Sequence, residues 1–389
     1  MNVAAFIEYL NKTKRLQIDA SYYAKIEKWR QWWQGYVPSV HNIKITREDG
    51  EHKRRRASLR MPKRVCEDWA NLLLNDKTTF QIGDAATAAY LLGSDEQQTG
   101  GLLRQLHFWE NANKLVEKAY WSGTGAFVLS VEGIKGTDGQ LEADPDARIV
   151  LDYDPASCIL PISVERGIVT EAAFVSECLI DGRPCAYLQT HTVRDGGYTI
   201  TNEWFEIGQG QDGAPVFTPR KAPVGTVTEL QPEGSPPWFS LFSPAAEKNI
   251  DGGTGLGMAV FAEALDAAQG VDLAFDNYRQ DLVQNANKNQ IPIETALIGI
   301  LRAILWAAKN LLGAPVDPET SISVNWDDSY IVSEQERTNQ LREDAIAGLV
   351  PRCRYLAARY GLSEKEAHAW AEEAKADNHT DEALTFGGA

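Results

Sequence analysis

Cysteine, histidine and methionine are all scarce, at 5, 6 and 3 residues in a chain of 389. Cys66, Cys158, Cys178, Cys185 and Cys353 form no C-x-x-C pair and no dense, even spacing. That argues against a secreted disulfide scaffold and leaves buried thiols. His41, His52, His107, His191, His368 and His379 are scattered, with no H-E-x-x-H and no G-x-S-x-G elbow in the chain. Positive charge is in deficit as well: 38 basic against 54 acidic residues leave a net charge of -16. Such a balance opposes non-specific attraction to phosphate backbones or anionic lipid. Long apolar runs are missing too. The most apolar stretch, Ile291 to Leu312, is interrupted by Glu294, Arg302, Lys309 and Asn310, so it reads as a core helix rather than a membrane span. Met1 to Leu10 lacks the basic and apolar regions of a signal peptide.

What is present fits a globular chain of two or three packed units, with 43% apolar and 24% charged residues. Tyr22, Ile26, Trp29 and Trp33 recur at helical spacing before Gly35, and their ordinary role is core packing. A second helix is expected from Pro62 through Trp69 and Leu73, and a third over Leu102 to Trp121. After Gly125 the period changes to alternation, with strands at Ala126 to Glu132, Ile149 to Tyr153, Ile168 to Val175, Cys185 to Thr192 and Tyr198 to Phe205. Turn chemistry at Asp181-Gly182 and Asp195-Gly196 makes that sheet antiparallel. Gly208 to Pro237 reads as a long loop. Helices return over Met258 to Leu282, which would span roughly 37 Å, and over Ile291 to Leu312. A short strand, Ser321 to Trp326, and three helices follow, the last set by the capping box at Ser363 and Glu366. The class is α+β, in four parts: residues 1–122 helical, 123–250 strand-rich, 251–312 two long helices with a short connector, and 313–389 helical.

No constellation compels a chemistry. Gly253, Gly255 and Gly257 precede a helix, but no apolar strand leads into them and no Lys-Ser/Thr pair follows, so a flexible helix start explains them better than a nucleotide site. Asp152 with Asp154, Asp327 with Asp328 and Glu372 with Glu373 are paired carboxylates that turns and solvated faces explain. No catalytic residue, metal ligand or cofactor site is assigned. Lys53, Arg54, Arg55, Arg56, Arg60, Lys63 and Arg64 form the one strongly basic cluster. A solvated face or loop is its ordinary reading; the sharper one is contact with an acidic neighbouring subunit or with DNA. Over Met258 to Leu282, Glu263, Asp266, Asp272, Asp276 and Asp281 stand against only Arg279. That flank is either solvated or faces a channel where negative charge keeps a moving polyanion from sticking.

Several segments together resemble the portal (head-tail connector) proteins of tailed double-stranded DNA phages. They are Tyr22-Tyr23 with Ile26, Trp29 and Trp32-Trp33 before Gly35 and His41; Met61, Lys63, Val65 to Trp69 and Leu72 to Asn75; Phe108-Trp109 with Gly123 to Phe127, Asp152-Tyr153 and Ala156; Pro237 to Phe239, Asn249 to Asp251, Gly255, Gly257, Val260-Phe261, Leu265-Asp266 and Val271-Asp272; Ala296-Leu297 with Ala303 to Leu305; and Asn325 to Ser329, Gly348 to Val350 and Tyr355 to Tyr360. The resemblance departs between Leu282 and Ile291, where portals insert a clip, a second stem helix and a tunnel loop and this chain has about eight residues. A shortened portal, a prophage remnant and a truncated chain all fit that departure. The resemblance implies a wing of helices and antiparallel sheet, a long stem helix and a helical crown. It also implies a homo-oligomeric ring, usually a dodecamer, at one capsid vertex in the virion, assembled in the host cytoplasm. Its partners would be double-stranded DNA in the channel, the large terminase, the head-tail adaptor, and the major capsid and scaffold proteins, with no membrane, no cofactor and no enzymatic activity. Twelve copies of -16 give roughly -190 before counterions, which suits sliding through weak contacts. Channel residues are then expected at Asp266, Asp272, Asp276, Gln284, Asn285, Lys288 and Asn289. Two other classes stay open: an intracellular α+β hydrolase using paired carboxylates, and a phage head accessory or scaffold-like interaction protein.

Overall fold

A computed structural model describes residues 2–47, 50–75, 77–94, 100–137, 140–166, 168–194, 197–211, 213–223, 226–232, 238–242, 273–326, 334–363 and 365–374. The chain divides into two compact units, residues 1–326 and 327–389. The class is α+β with antiparallel sheets.

The first unit opens with α1 (Val3–Lys14) and α2 (Ala20–Gln34), capped by Asn2 and Asp19, whose carbonyl and carboxylate oxygens accept from Ala5 and Ser21 N–H. The aromatic stripe lies on α2, which ends at Gly35 in the left-handed conformation, as its spacing predicts. A short helix α3 (Pro38–His41) leads into a hairpin, β1 (Asn42–Arg47) and β2 (Gly50–Arg55). Next come α4 (Met61–Leu73), β3 (Thr79–Ile82), α5 (Ala85–Leu92), α6 (Leu102–Gln105) and α7 (Phe108–Ser122). The single helix expected over Leu102 to Trp121 is therefore two. The chain breaks at Leu106-His107, where His107 takes a φ of 49°, because Phe108 and Trp109 turn in to pack against Phe80 with ring centroids 6.0 and 4.9 Å away.

The strand-rich part holds β4 (Gly125–Thr137), β5 (Gln140–Pro155), β6 (Ile159–Glu165), β7 (Ile168–Ile180), β8 (Arg183–Arg194), β9 (Gly197–Gln209), β10 (Pro215–Arg220), β11 (Glu229–Leu230) and β12 (Phe239–Phe242). One antiparallel sheet runs β10-β9-β8-β7-β6, with β11 also on β9; a second runs β12-β4-β5. The stretch read as a loop from Gly208 thus contains two strands, β10 and β11. Pro215 and Pro219 are tolerated because β10 is an edge, and Phe217 anchors it 4.8 Å from Phe6. α1 and α2 close one face of the larger sheet around Phe6, Ile7, Leu10, Ile26, Leu160, Val175, Leu188 and Phe205.

The longest element, α8 (Leu273–Asn310), runs 38 residues, about 57 Å. The expected break into two helices joined by a connector is absent, and Pro292 sits inside the helix. The cost of that proline, about 3 kcal/mol, is opposed by burial of Ile293, Ala296, Leu297, Ile300, Leu301, Ile304 and Leu305. By length and a mean hydropathy of 1.6, Ala286–Asn310 would suffice to cross a membrane; here it packs on β12, β4, β5 and α4 as a core helix. Gly299 permits the approach to β12, since a Cβ there would lie 2.6 Å from Ser240 Oγ. β13 (Ile322–Asn325) pairs with β3, closing the unit.

The second unit contains α9 (Glu334–Ile346), α10 (Arg352–Tyr360) and α11 (residues 365–374). The capping box forms as the spacing predicts: Ser363 N–H donates to Glu366 Oε2 at 3.0 Å, and Glu366 N–H to Ser363 Oγ at 3.4 Å.

Candidate functional site: the basic ribbon and the long helix

The basic cluster is a piece of architecture rather than a loop. β1 and β2 pair in register from Asn42↔Arg55 to Arg47↔Gly50, which sets Lys44 directly opposite Lys53 and Ile43 opposite Arg54. Every residue of β2 is exposed. Like charges face to face destabilise a strand pair, and the Lys44 to Glu51 ion pair at 3.2 Å offsets only part of that. Arg55 lies 4.2 Å from the ring centroid of Tyr36, and Arg56 N–H donates to His41 carbonyl at 2.8 Å, so the base of the ribbon is fixed to the helical body. The hairpin was legible in principle. Ile43 and Ile45 alternate with polar residues, and Glu48-Asp49-Gly50 is turn chemistry.

The cluster then continues onto α4. Arg60 caps it at a φ of 52°, Lys63 lies 5.2 Å from the Trp33 ring and 2.7 Å from Glu67, and Arg64 is 4.0 Å from Asp68. The hydrogen bond to Glu67 raises the Lys63 pKa. Among the described residues, Lys53, Arg54 and Arg56 have no carboxylate partner, so the uncompensated charge is concentrated on β2 and just after it.

The expected channel residues fare differently. Asp266 and Asp272, and the glycine run at Gly253 to Gly257, lie outside the described residues. Asp276, Gln284 and Asn285 belong to α8, but their side chains lie outside those described. Lys288 is exposed, whereas Asn289 is 4% and Gln290 9% exposed. The reading of Gln284 to Gln290 as a connector is corrected: the stretch is helix, and Asn289 and Gln290 are buried. Asp327 and Asp328 also lie outside the described residues.

Of the paired carboxylates, Asp152 and Asp154 lie two residues apart on one face of β5. Asp152 lines a cleft of about 410 Å³ with Glu132, Tyr187, Gln189, Asn202 and Trp238; Asp154 is no part of that lining. Glu132 is held by Arg148 at 2.7 Å. Burial and then Glu132 raise the Asp152 pKa. Burial, reinforced by Asp152 and opposed by Lys118, pushes Asp154 up to about 7. His191 is fully buried, its Nδ1 2.6 Å from Tyr198 Oη, and burial holds its pKa down at about 3. Among the described residues no group of three His, Cys, Asp or Glu converges as metal ligands. No protein-family model matches the chain, and no curated protein matches it significantly.

Proposed function

We propose that this chain is a phage portal subunit, one of many identical copies forming a ring-shaped channel at a capsid vertex for DNA packaging, ejection and head-tail joining, without an enzymatic reaction of its own. The observation that carries the reading is the order of parts along the chain. Aromatic helices come first, then antiparallel sheets, a 38-residue helix and a separate helical unit, in the sequence wing, stem and crown that the resembled family implies. The net charge of -16 supports it, because a channel for a polyanion works through weak contacts. The hydrolase reading is the alternative: Glu132 and Asp152 line one cleft, but Arg148 already holds Glu132 in an ion pair, and Asp154 is no part of that lining. The test is negative-stain imaging of the purified full chain. Annuli with a central hole wide enough for duplex DNA are expected; a field of particles the size of one 43.0 kDa chain would overturn the reading.

A further inference from the structure

Among the described residues the subunit carries two ribbons of opposite charge, each two-stranded over its outer length. β1–β2 bears Lys44, Lys53, Arg54 and Arg55. The other is the outer half of β4–β5. Among the described residues β12 pairs with β4 from Gly125 to Val128, with Trp238 carbonyl accepting from Leu129 N–H, whereas β4 and β5 stay paired out to Thr137↔Gln140. At Gly133, φ 79°, the register shifts in a bulge, and a Cβ there would lie 2.9 Å from Ala147 Cα; bulges of this kind bend a ribbon away from its sheet. Beyond the bulge β5 carries the acidic residues Asp144 and Asp146, and Ala143, Pro145 and Asp146 are exposed.

Two-stranded ribbons are marginal alone in water, and the Lys44 and Lys53 juxtaposition weakens the first further. Resting on the ring assembly proposed above, we infer that the basic ribbon of one subunit docks on the acidic β4–β5 arm of a second copy. Charge complementarity favours the copy over nucleic acid. Residues 42–64 carry nine cations and three acids, which is +6 and leaves -22 on the rest of a chain whose net charge is -16. A duplex approaching the ribbon meets that negative field, whereas a second copy supplies the matching arm. Because the two surfaces differ, the contact is head-to-tail, and head-to-tail contacts close into rings when the rotation permits.

The test uses the full chain with a basic half-swap (Lys53→Glu with Arg54→Glu), an acidic half-swap (Asp144→Lys with Asp146→Lys) and the two combined. Circular dichroism checks folding, and sedimentation velocity near physiological salt reads assembly. Each half-swap is expected to raise the concentration needed for assembly by about tenfold or more, and the combined swap to restore it. If the wild type assembles and both half-swaps assemble equally well, the docking is overturned while the ring stands. If the basic half-swap spares assembly but abolishes binding of a short DNA duplex, the ribbon serves nucleic acid and the inference is overturned. A wild type that never assembles removes the ring and the docking together. Should a half-swap unfold, the single changes Arg54→Glu and Asp146→Lys, with their combination, carry the same comparison.

Discussion

Replacing Asp154 by asparagine is expected to stabilise the protein, by an amount that depends on pH in a defined way. The half-buried carboxyl of Asp154 at the end of β5 holds its proton up to about pH 7, against an ordinary value of 3.8. Burial is the main cause, Asp152 adds repulsion, and Lys118 opposes both. Each pH unit of displacement corresponds to about 1.4 kcal/mol, so the charged group costs up to about 4 kcal/mol at neutral pH. The folded chain binds this proton more tightly than the unfolded chain. Its contribution is therefore fully favourable below pH 3.8, declines as pH rises, and levels off above 7. Asparagine keeps the shape and removes the ionisation. Urea unfolding of both proteins at several pH values between 4 and 8 reads the difference as a shift in midpoint at constant slope. The gain should be largest at pH 8 and vanish near pH 4. A gain independent of pH, or a loss at pH 8, would refute the reasoning, because the carboxyl would then not be desolvated.

Three further outcomes are expected. With the His191 pKa near 3 when folded against 6.5 when exposed, the unfolded chain binds the proton first, and stability should fall by roughly 2 kcal/mol between pH 7 and pH 5; in His191→Phe that part of the acid sensitivity disappears from thermal melts. Gly299→Ala should cost about 1–3 kcal/mol in the same assay by forcing α8 off Ser240, and Ser240→Gly in the same chain should recover most of it. Reversing Asp272 and Asp276 to lysine should leave circular dichroism unchanged but slow DNA passage in a packaging assay; unaltered packaging would remove the channel-face assignment.

Much of the fold was legible because it rests on local periodicity. The aromatic stripe of α2 and the alternation of β7 to β9 announce themselves, and the capping box sets the start of α11. What was hidden depends on tertiary packing. Nothing near Leu106-His107 signals a break, which arises from the packing of Phe108 and Trp109 on the distant Phe80. The polar stretch Gln284 to Gln290 looks like a connector, yet Asn289 and Gln290 are buried and the helix runs through Pro292. β10 lies in a segment whose glycines and prolines argue for a loop, and it forms because Phe217 has a place against Phe6. Of the candidate site, the basic cluster was plain as composition. Its hairpin follows from the alternation of Ile43 and Ile45 and the turn residues, but the setting of Lys44 opposite Lys53 needed the register of β1–β2.

A ring requires self-association, which the mass of the purified full chain in solution reports as its concentration rises, by sedimentation or light scattering. A discrete species of about twelve 43.0 kDa subunits is predicted, loosening as salt screens the charges between neighbours. A mass of one chain at every concentration would contradict it.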